Sequence, residues 1–180
     1  SVNSADSLGM IYFQGSDGNS YESGATICAT ADEAWSGSAL GTALTFHTVD
    51  NTTTTLDERM RIDHSGNVGI GTTSPANPLY VQCSIDGDYA TVIHNQDADN
   101  GQGLLIRAGA DSGEAIISAR NQASDVKFLV RGDGNVGIGT SSPGFKFVVN
   151  SSTADTVAKF ESTDAIARLE LKDDDDSAYV

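Results

Sequence analysis

Short apolar runs separated by polar turns make up most of the chain. Nearly every run is four to six residues long and alternates apolar with polar side chains, as Phe145, Phe147 and Val149 do around Lys146. A period of two is typical of β-strands with one covered face. The turns are rich in Gly, Asn and Asp, which tolerate the positive φ angles of tight turns. The pattern therefore predicts an all-β fold of many short strands.

Three less regular runs follow the same interpretation. Residues 89–94 and 103–107 are apolar stretches of strand length between turn residues. Residues 153–161 mix helix-forming with β-branched residues, and their counterpart at 89–94 favours a strand. We predict strands in all three.

A ten-residue motif occurs twice. Gly-Asn-Val-Gly-Ile-Gly-Thr-x-Ser-Pro begins at Gly66 and again at Gly134, an offset of 68, with nine of its ten positions identical. A repeat at a fixed offset indicates a chain built from stacked units. We divide the chain into a first β repeat unit with a longer insert at 1–76, a second unit at 77–144, and an incomplete third unit at 145–180. The motif residues singled out are Gly66, Asn67, Gly69, Gly71 and Pro75, with Gly134, Asn135, Gly137, Gly139 and Pro143 in the second copy.

The runs upstream of the two copies are also expected to correspond. Runs 8–13, 25–29 and 43–46 precede the first copy, and runs 104–106, 115–119 and 127–130 precede the second in the same order.

The motif predicts a hairpin. Asp133-Gly134-Asn135 closes a tight turn, and the returning strand alternates Val, Gly, Ile, Gly, so one of its faces has no side chains. Glycine weakens a strand, which implies a close approach to that backbone, and we expect another chain at a three-fold axis to make it. Pro75 and Pro143 end the strand because proline cannot donate to a ladder.

The prolines also argue against a nucleotide site. A dinucleotide fingerprint needs a helix that opens within the glycines, and a phosphate loop needs Gly-Lys-Ser/Thr, which does not follow here. The histidines lack metal-ligand spacing, so we expect neither a metal nor a cofactor.

Composition and charge restrict the partners. Only 7% of residues are aromatic and 19 are Gly, so burial is expected to come from many short strands and from several chains. A net charge of −15 repels nucleic acid and anionic membrane surfaces, and no apolar run is long enough to insert into a membrane. Cys28 and Cys83 make no disulfide framework, and we interpret both as reduced.

The motif, followed by a short strand such as Leu79-Tyr80-Val81, resembles the distal repeat region of tailed bacteriophage tail fibres. The resemblance covers residues 58–180 well and residues 1–56 by strand pattern alone. It implies an elongated, parallel homotrimer of intertwined β-structure, prism-like or sandwich-like, assembled in the host cytoplasm and located in the virion. The implied partners are two further copies of the chain, other virion tail proteins, and a host cell-surface glycan or protein receptor.

Alternatives remain open beside a structural and adhesive fibre. A tailspike-like glycan depolymerase needs paired carboxylates in an aromatic-walled groove, yet the sequence has one Trp. That Trp35 lies in the non-repeated loop 31–37, where we interpret it as a hydrophobic plug, with a glycan contact as the alternative. No Ser, His and Asp arrangement indicates nucleophilic catalysis, so we expect no enzyme. A trimeric virion surface fibre or adhesin of another kind is the third hypothesis.

Overall fold

The computed structural model describes residues 1–87, 89–97, 99, 101–109, 111–151 and 157–158. In these residues every regular element is a β-strand, so the predicted all-β class is confirmed. The chain divides into two units, Ser1–His94 and Asn95–Val180, and each contains one copy of the motif. The division at 76 and 144 stays a prediction. No described helix is long and apolar enough to cross a membrane.

The first unit contains a six-stranded sheet whose strands lie side by side in chain order. The strands are β1 (Ser7–Ser16), β2 (Tyr21–Ala31), β3 (Thr42–Val49), β4 (Leu56–Ile62), β5 (Val68–Ile70) and β6 (Leu79–Val81). Neighbours are antiparallel except β5 and β6, which are parallel. A parallel pair cannot be joined by a tight turn, so residues 71–78 return the chain from the end of β5 to the start of β6.

The second unit repeats the last four strands of this arrangement. Its strands are β7 (Ala115–Arg120), β8 (Val126–Arg131), β9 (Val136–Ile138) and β10 (Phe147–Val149), in the order β10-β9-β8-β7, and β9 and β10 are parallel. The predicted hairpin between β8 and β9 is present.

The expected correspondence of the upstream runs is wrong by one strand. Because β4 is itself the strand before the motif, β3 matches β7 and β4 matches β8, whereas run 25–29 was expected to match β7.

Two of the predicted strands are absent. Residues 89–94 and 103–107 have no strand among their described residues, and their apolar side chains are exposed. Alternation of apolar and polar residues gives a segment one apolar face, but a strand also needs a neighbouring strand for its backbone hydrogen bonds. Neither segment pairs with a described strand. The predicted strand at 153–161 lies outside the described residues, apart from 157–158.

Few described side chains are buried, and most of them are small. The buried hydrophobic residues are Cys28, Ala31, Ala43 and Leu129, together with the motif prolines Pro75 and Pro143. Thr26 and Thr45 are buried as well. A core of this size buries little apolar surface, and most stabilisation in an isolated domain comes from such burial.

Candidate functional site

The register of the six-stranded sheet places only apolar residues in two adjacent rows on one face. One row is Ile11, Ile27, Phe46, Met60, Ile70 and Val81, and the other is Gly9, Ala29, Leu44, Ile62, Val68 and Leu79. We call this surface the apolar face. None of its side chains is charged or polar, although the chain as a whole is strongly acidic.

The side chains of the apolar face are uncovered. Not one of them is buried, and the exposed fraction reaches 59% for Ile11 and 63% for Leu79. Burying a large aliphatic side chain is worth about 1.5–3 kcal/mol, so the face leaves much stabilisation unused in a single chain. A contiguous exposed apolar surface of this kind marks an interaction site.

The second unit carries the same face. Its rows are Ile117, Val130, Val136 and Phe147, and Ala119, Phe128, Ile138 and Val149. Again no member is buried or charged. The feature therefore belongs to the repeat and not to one irregular strand.

The opposite face mixes polar with apolar side chains and is covered in part by the chain itself. One of its rows is Met10, Cys28, Thr45, Arg61, Gly69 and Tyr80. The Arg61 guanidinium donates to Glu58 from Nε at 2.7 Å and to the Thr73 carbonyl from Nη1 at 2.8 Å. The hydrogen bond to Glu58 raises the pKa of Arg61, so the guanidinium stays protonated. Arg61 thereby attaches the 71–78 segment to β4. The opposite face thus has partners within the chain, whereas the described residues bury no side chain of the apolar face.

The motif glycines have an intrachain cause. A Cβ on Gly69 would lie 2.8 Å from the Thr72 carbonyl oxygen, and one on Gly137 would lie 2.9 Å from that of Thr140. The expectation that another chain makes this close approach is therefore corrected. The returning 71–78 segment, and 139–146 in the second unit, pack their own backbone against the strand.

Gly71 and Gly139 are constrained more strongly. Each has φ +71, and a Cβ would overlap the carbonyl oxygen of Gln82 or Asn150, respectively. Gln82 and Asn150 donate their backbone N–H groups to the carbonyl oxygens of Ile70 and Ile138 at 2.9 Å and so extend the parallel pairs. Glycine at this position lets the parallel strand lie next to the motif.

The polar motif residues also serve the loop. Asn67 and Asn135 donate their side-chain N–H to the carbonyls of Pro75 and Pro143, at 3.4 and 3.2 Å. Gly66 and Gly134 have φ +82 and form the preceding turn. In each copy, the five singled-out motif residues thus lie in one strand-loop-strand arrangement. Among the described residues no group of three His, Cys, Asp or Glu side chains could bind a metal.

Comparison with solved structures finds a distant likeness. The chain is similar in structure to the carboxy-terminal domain of the bacteriophage T5 L-shaped tail fibre, solved with its intramolecular chaperone domain. The TM-score is 0.42 at 10% identity, and the match covers 96% of this chain and 66% of that one. No functional argument rests on this likeness. No family model and no curated protein sequence matches.

Trp35 lies apart from the apolar face, in the loop between β2 and β3. Its indole N–H donates to the Gly41 carbonyl at 3.3 Å, its backbone N–H donates to Val2 at 3.0 Å, and its side chain is half-buried. These bonds fit the interpretation as a plug. A glycan contact at Trp35 stays a prediction.

The same loop is joined to the first motif turn by an ion pair. His64 Nδ1 lies 2.9 Å from Asp32 Oδ2, and this hydrogen bond raises the pKa of His64 above its ordinary value. A raised pKa in the folded state stabilises the fold fully below about pH 6.5. That contribution is lost as the pH rises through the folded-state pKa of His64.

We therefore expect His64→Gln to reduce stability at about pH 5.5 but to leave it nearly unchanged at about pH 8.5. Urea unfolding at both pH values measures the loss in the free energy of unfolding. His94→Gln is the control and should cause no such pH-dependent loss. An equal effect of His64→Gln at both pH values would contradict the assignment.

The sequence did not reveal the apolar face as a site. Its residues were recognisable from their alternation, but which residues lie opposite each other depends on strand register. The bulges at Phe13/Gln14 and Phe46/His47 shift that register, and no turn motif in the sequence marks them.

Proposed function

We propose that this chain is a structural and adhesive segment of a phage tail fibre, which works as a parallel homotrimer and supports recognition of a host surface. The apolar face carries this proposal, because it recurs in both units and none of its side chains is buried by the described residues. Three copies that turn these faces towards a common axis would bury them and leave the opposite faces in water.

Charge supports the same arrangement. Three copies carry a formal charge of about −45, three times the −15 of one chain, which would oppose any acidic contact between them. The apolar rows contain no acid. The turn carboxylates Asp17, Asp63 and Asp125 accept local hydrogen bonds that lower their pKa values, so they stay ionised and favour water. Association through the apolar face therefore keeps like charges on the outside.

The resemblance of the glycine motif to tail fibres favours three chains over two. In this proposal the mechanism is mechanical and multivalent. Three parallel chains per shaft, and several shafts per particle, raise avidity for a host glycan or protein receptor without any single strong contact. The chain joins other virion tail proteins and catalyses no reaction. Incubation with host-surface glycans should accordingly release no reducing sugar.

Solution mass tests the proposal. Native mass spectrometry of the whole chain should give about 56 kDa, three times 18.7 kDa, over a wide range of protein concentrations. A stable species of one chain at high concentration would overturn the homotrimer. A two-chain species would overturn the three-fold arrangement while leaving the apolar face as its interface.

A further inference from the structure

The second sheet has an open edge where the first has a strand. In the first unit β3 is paired on one side with β4 and on the other with β2. Its counterpart β7 is paired with β8, and no described strand lies on its other side. An unpaired strand edge presents a row of free backbone donors and acceptors, and it accepts a further strand readily.

A segment suited to that edge lies just upstream in the sequence. Residues 101–109 contain Leu104, Leu105 and Ile106, which are exposed to 64%, 80% and 39%, and no described strand pairs with them. The segment contains no acidic residue, and neither does β7. Both therefore avoid the repulsion that most other surfaces of this chain would produce.

As a strand, the segment would place apolar side chains on the face that carries the apolar rows. Residues two apart share a face, so Leu104 and Ile106 would lie together and Leu105 opposite. In the first unit, β2 contributes Ile27 and Ala29 to the apolar face at the equivalent place. Leu104 and Ile106 would extend the rows that contain Ile117 and Ala119 in the same way.

The segment does not take this place in its own chain. Gly109, at its end, lies against Glu114 and Gly132, where a Cβ would approach to 3.2 and 3.4 Å. Gly132 is the residue after β8. It donates its backbone N–H to the Glu114 carbonyl at 3.0 Å and so extends the β7–β8 ladder by one hydrogen bond. Gly109 thus lies against the end of the β7–β8 pair, and residues 103–107 form no described strand along the open edge of β7.

We propose that residues 103–107 of one copy pair with the open edge of β7 in a second copy. This inference rests on the proposed homotrimer and names one of its interchain contacts. Each copy gives a strand and receives one, which closes a ring of three exchanges around a three-fold axis. The second unit then acquires the strand that β2 provides in the first.

Disulfide trapping between differently tagged chains tests the exchange. In a Cys28→Ala, Cys83→Ser background, one chain carries Leu105→Cys and the other carries Ser118→Cys or Arg120→Cys. The two introduced cysteines share the sheet face opposite the apolar one, and a bridge needs Cα atoms about 4.4–6.8 Å apart. After co-expression in equal amounts and mild oxidation, up to about half of the chains should migrate as a mixed two-tag dimer on a non-reducing gel, because each mixed ring of three contains one matching junction.

Two controls separate this inference from the homotrimer itself. Ser20→Cys, in the exposed turn between β1 and β2, should give no mixed dimer with Leu105→Cys. In the chain that carries both Leu105→Cys and Ser118→Cys, an intrachain bridge at the mass of one chain would overturn the exchange. So would the absence of any bridge while native mass still gives a trimer, and in that case the proposed function survives. A monomeric native mass overturns both.

Discussion

Leu79→Glu should separate the proposed trimer into single chains. Leu79 lies at the edge of the apolar face and is 63% exposed, so a glutamate there is hydrated in an isolated chain and costs the fold little. In a trimer with the apolar faces inward, three carboxylates would lose water near one axis. Each buried, unpaired charge costs several kcal/mol, and three of them near one axis also repel one another, so association through this face should be strongly weakened.

Leu40→Glu is the matched control. Leu40 is 62% exposed, but it lies between β2 and β3 and belongs to neither apolar row. Native mass spectrometry should give about 18.7 kDa for Leu79→Glu and three times that mass for Leu40→Glu. Phe147→Glu repeats the test at the equivalent place in the second unit. If Leu79→Glu and Phe147→Glu both remain trimeric, the apolar face is not the interface.

Gly71→Ala should destabilise the fold far more than its small size suggests. At φ +71 any Cβ is strained by about 1–2 kcal/mol, and here it also overlaps the Gln82 carbonyl oxygen. That oxygen belongs to backbone that is held in the parallel pair by the Gln82 N–H bond to Ile70. Forcing atoms into a packed site adds about 1–3 kcal/mol, so we expect a total loss of about 2–5 kcal/mol.

Gly66→Ala separates the two causes. Gly66 has a similar φ of +82, but no heavy atom lies within 4 Å of the position of an added Cβ. Gly66→Ala should therefore lose only the stability that the strained backbone costs. Urea unfolding of both variants by circular dichroism, at equal chain concentrations, gives the difference. Equal losses for Gly66→Ala and Gly71→Ala would refute the overlap with Gln82.

Much of the repeat could be predicted from the sequence because its determinants are local. The turn at Asp133-Gly134-Asn135 and the strand that follows depend on neighbouring residues alone. The prediction that Pro75 and Pro143 end this strand is wrong, because the strands end at Ile70 and Ile138 and the prolines lie in the returning segments. The motif also repeats its conformation, since Gly71 and Gly139 share a φ of +71. Local chemistry therefore predicted the turn and strand of the motif and the match between its two copies, but not the match between the runs upstream of them.

What depends on distant backbone could not be predicted in this way. The close approach at Gly69 was correctly inferred, but its source is Thr72 in the returning segment and not a second chain. Runs 89–94 and 103–107 have the composition of strands, yet pairing partners decide whether strands form. The apolar face required the register across six strands, which bulges alter without a sequence mark.

In the proposed fibre, the parallel pairs β5–β6 and β9–β10 would also determine how the chain bears tension. In an antiparallel hairpin, force on the two chain ends peels hydrogen bonds apart one after another. In a parallel pair, the start of the first strand and the end of the second lie at opposite ends, so force slides the strands and loads every bond together. Each motif would then resist shear when the proposed fibre is pulled between the virus particle and its host.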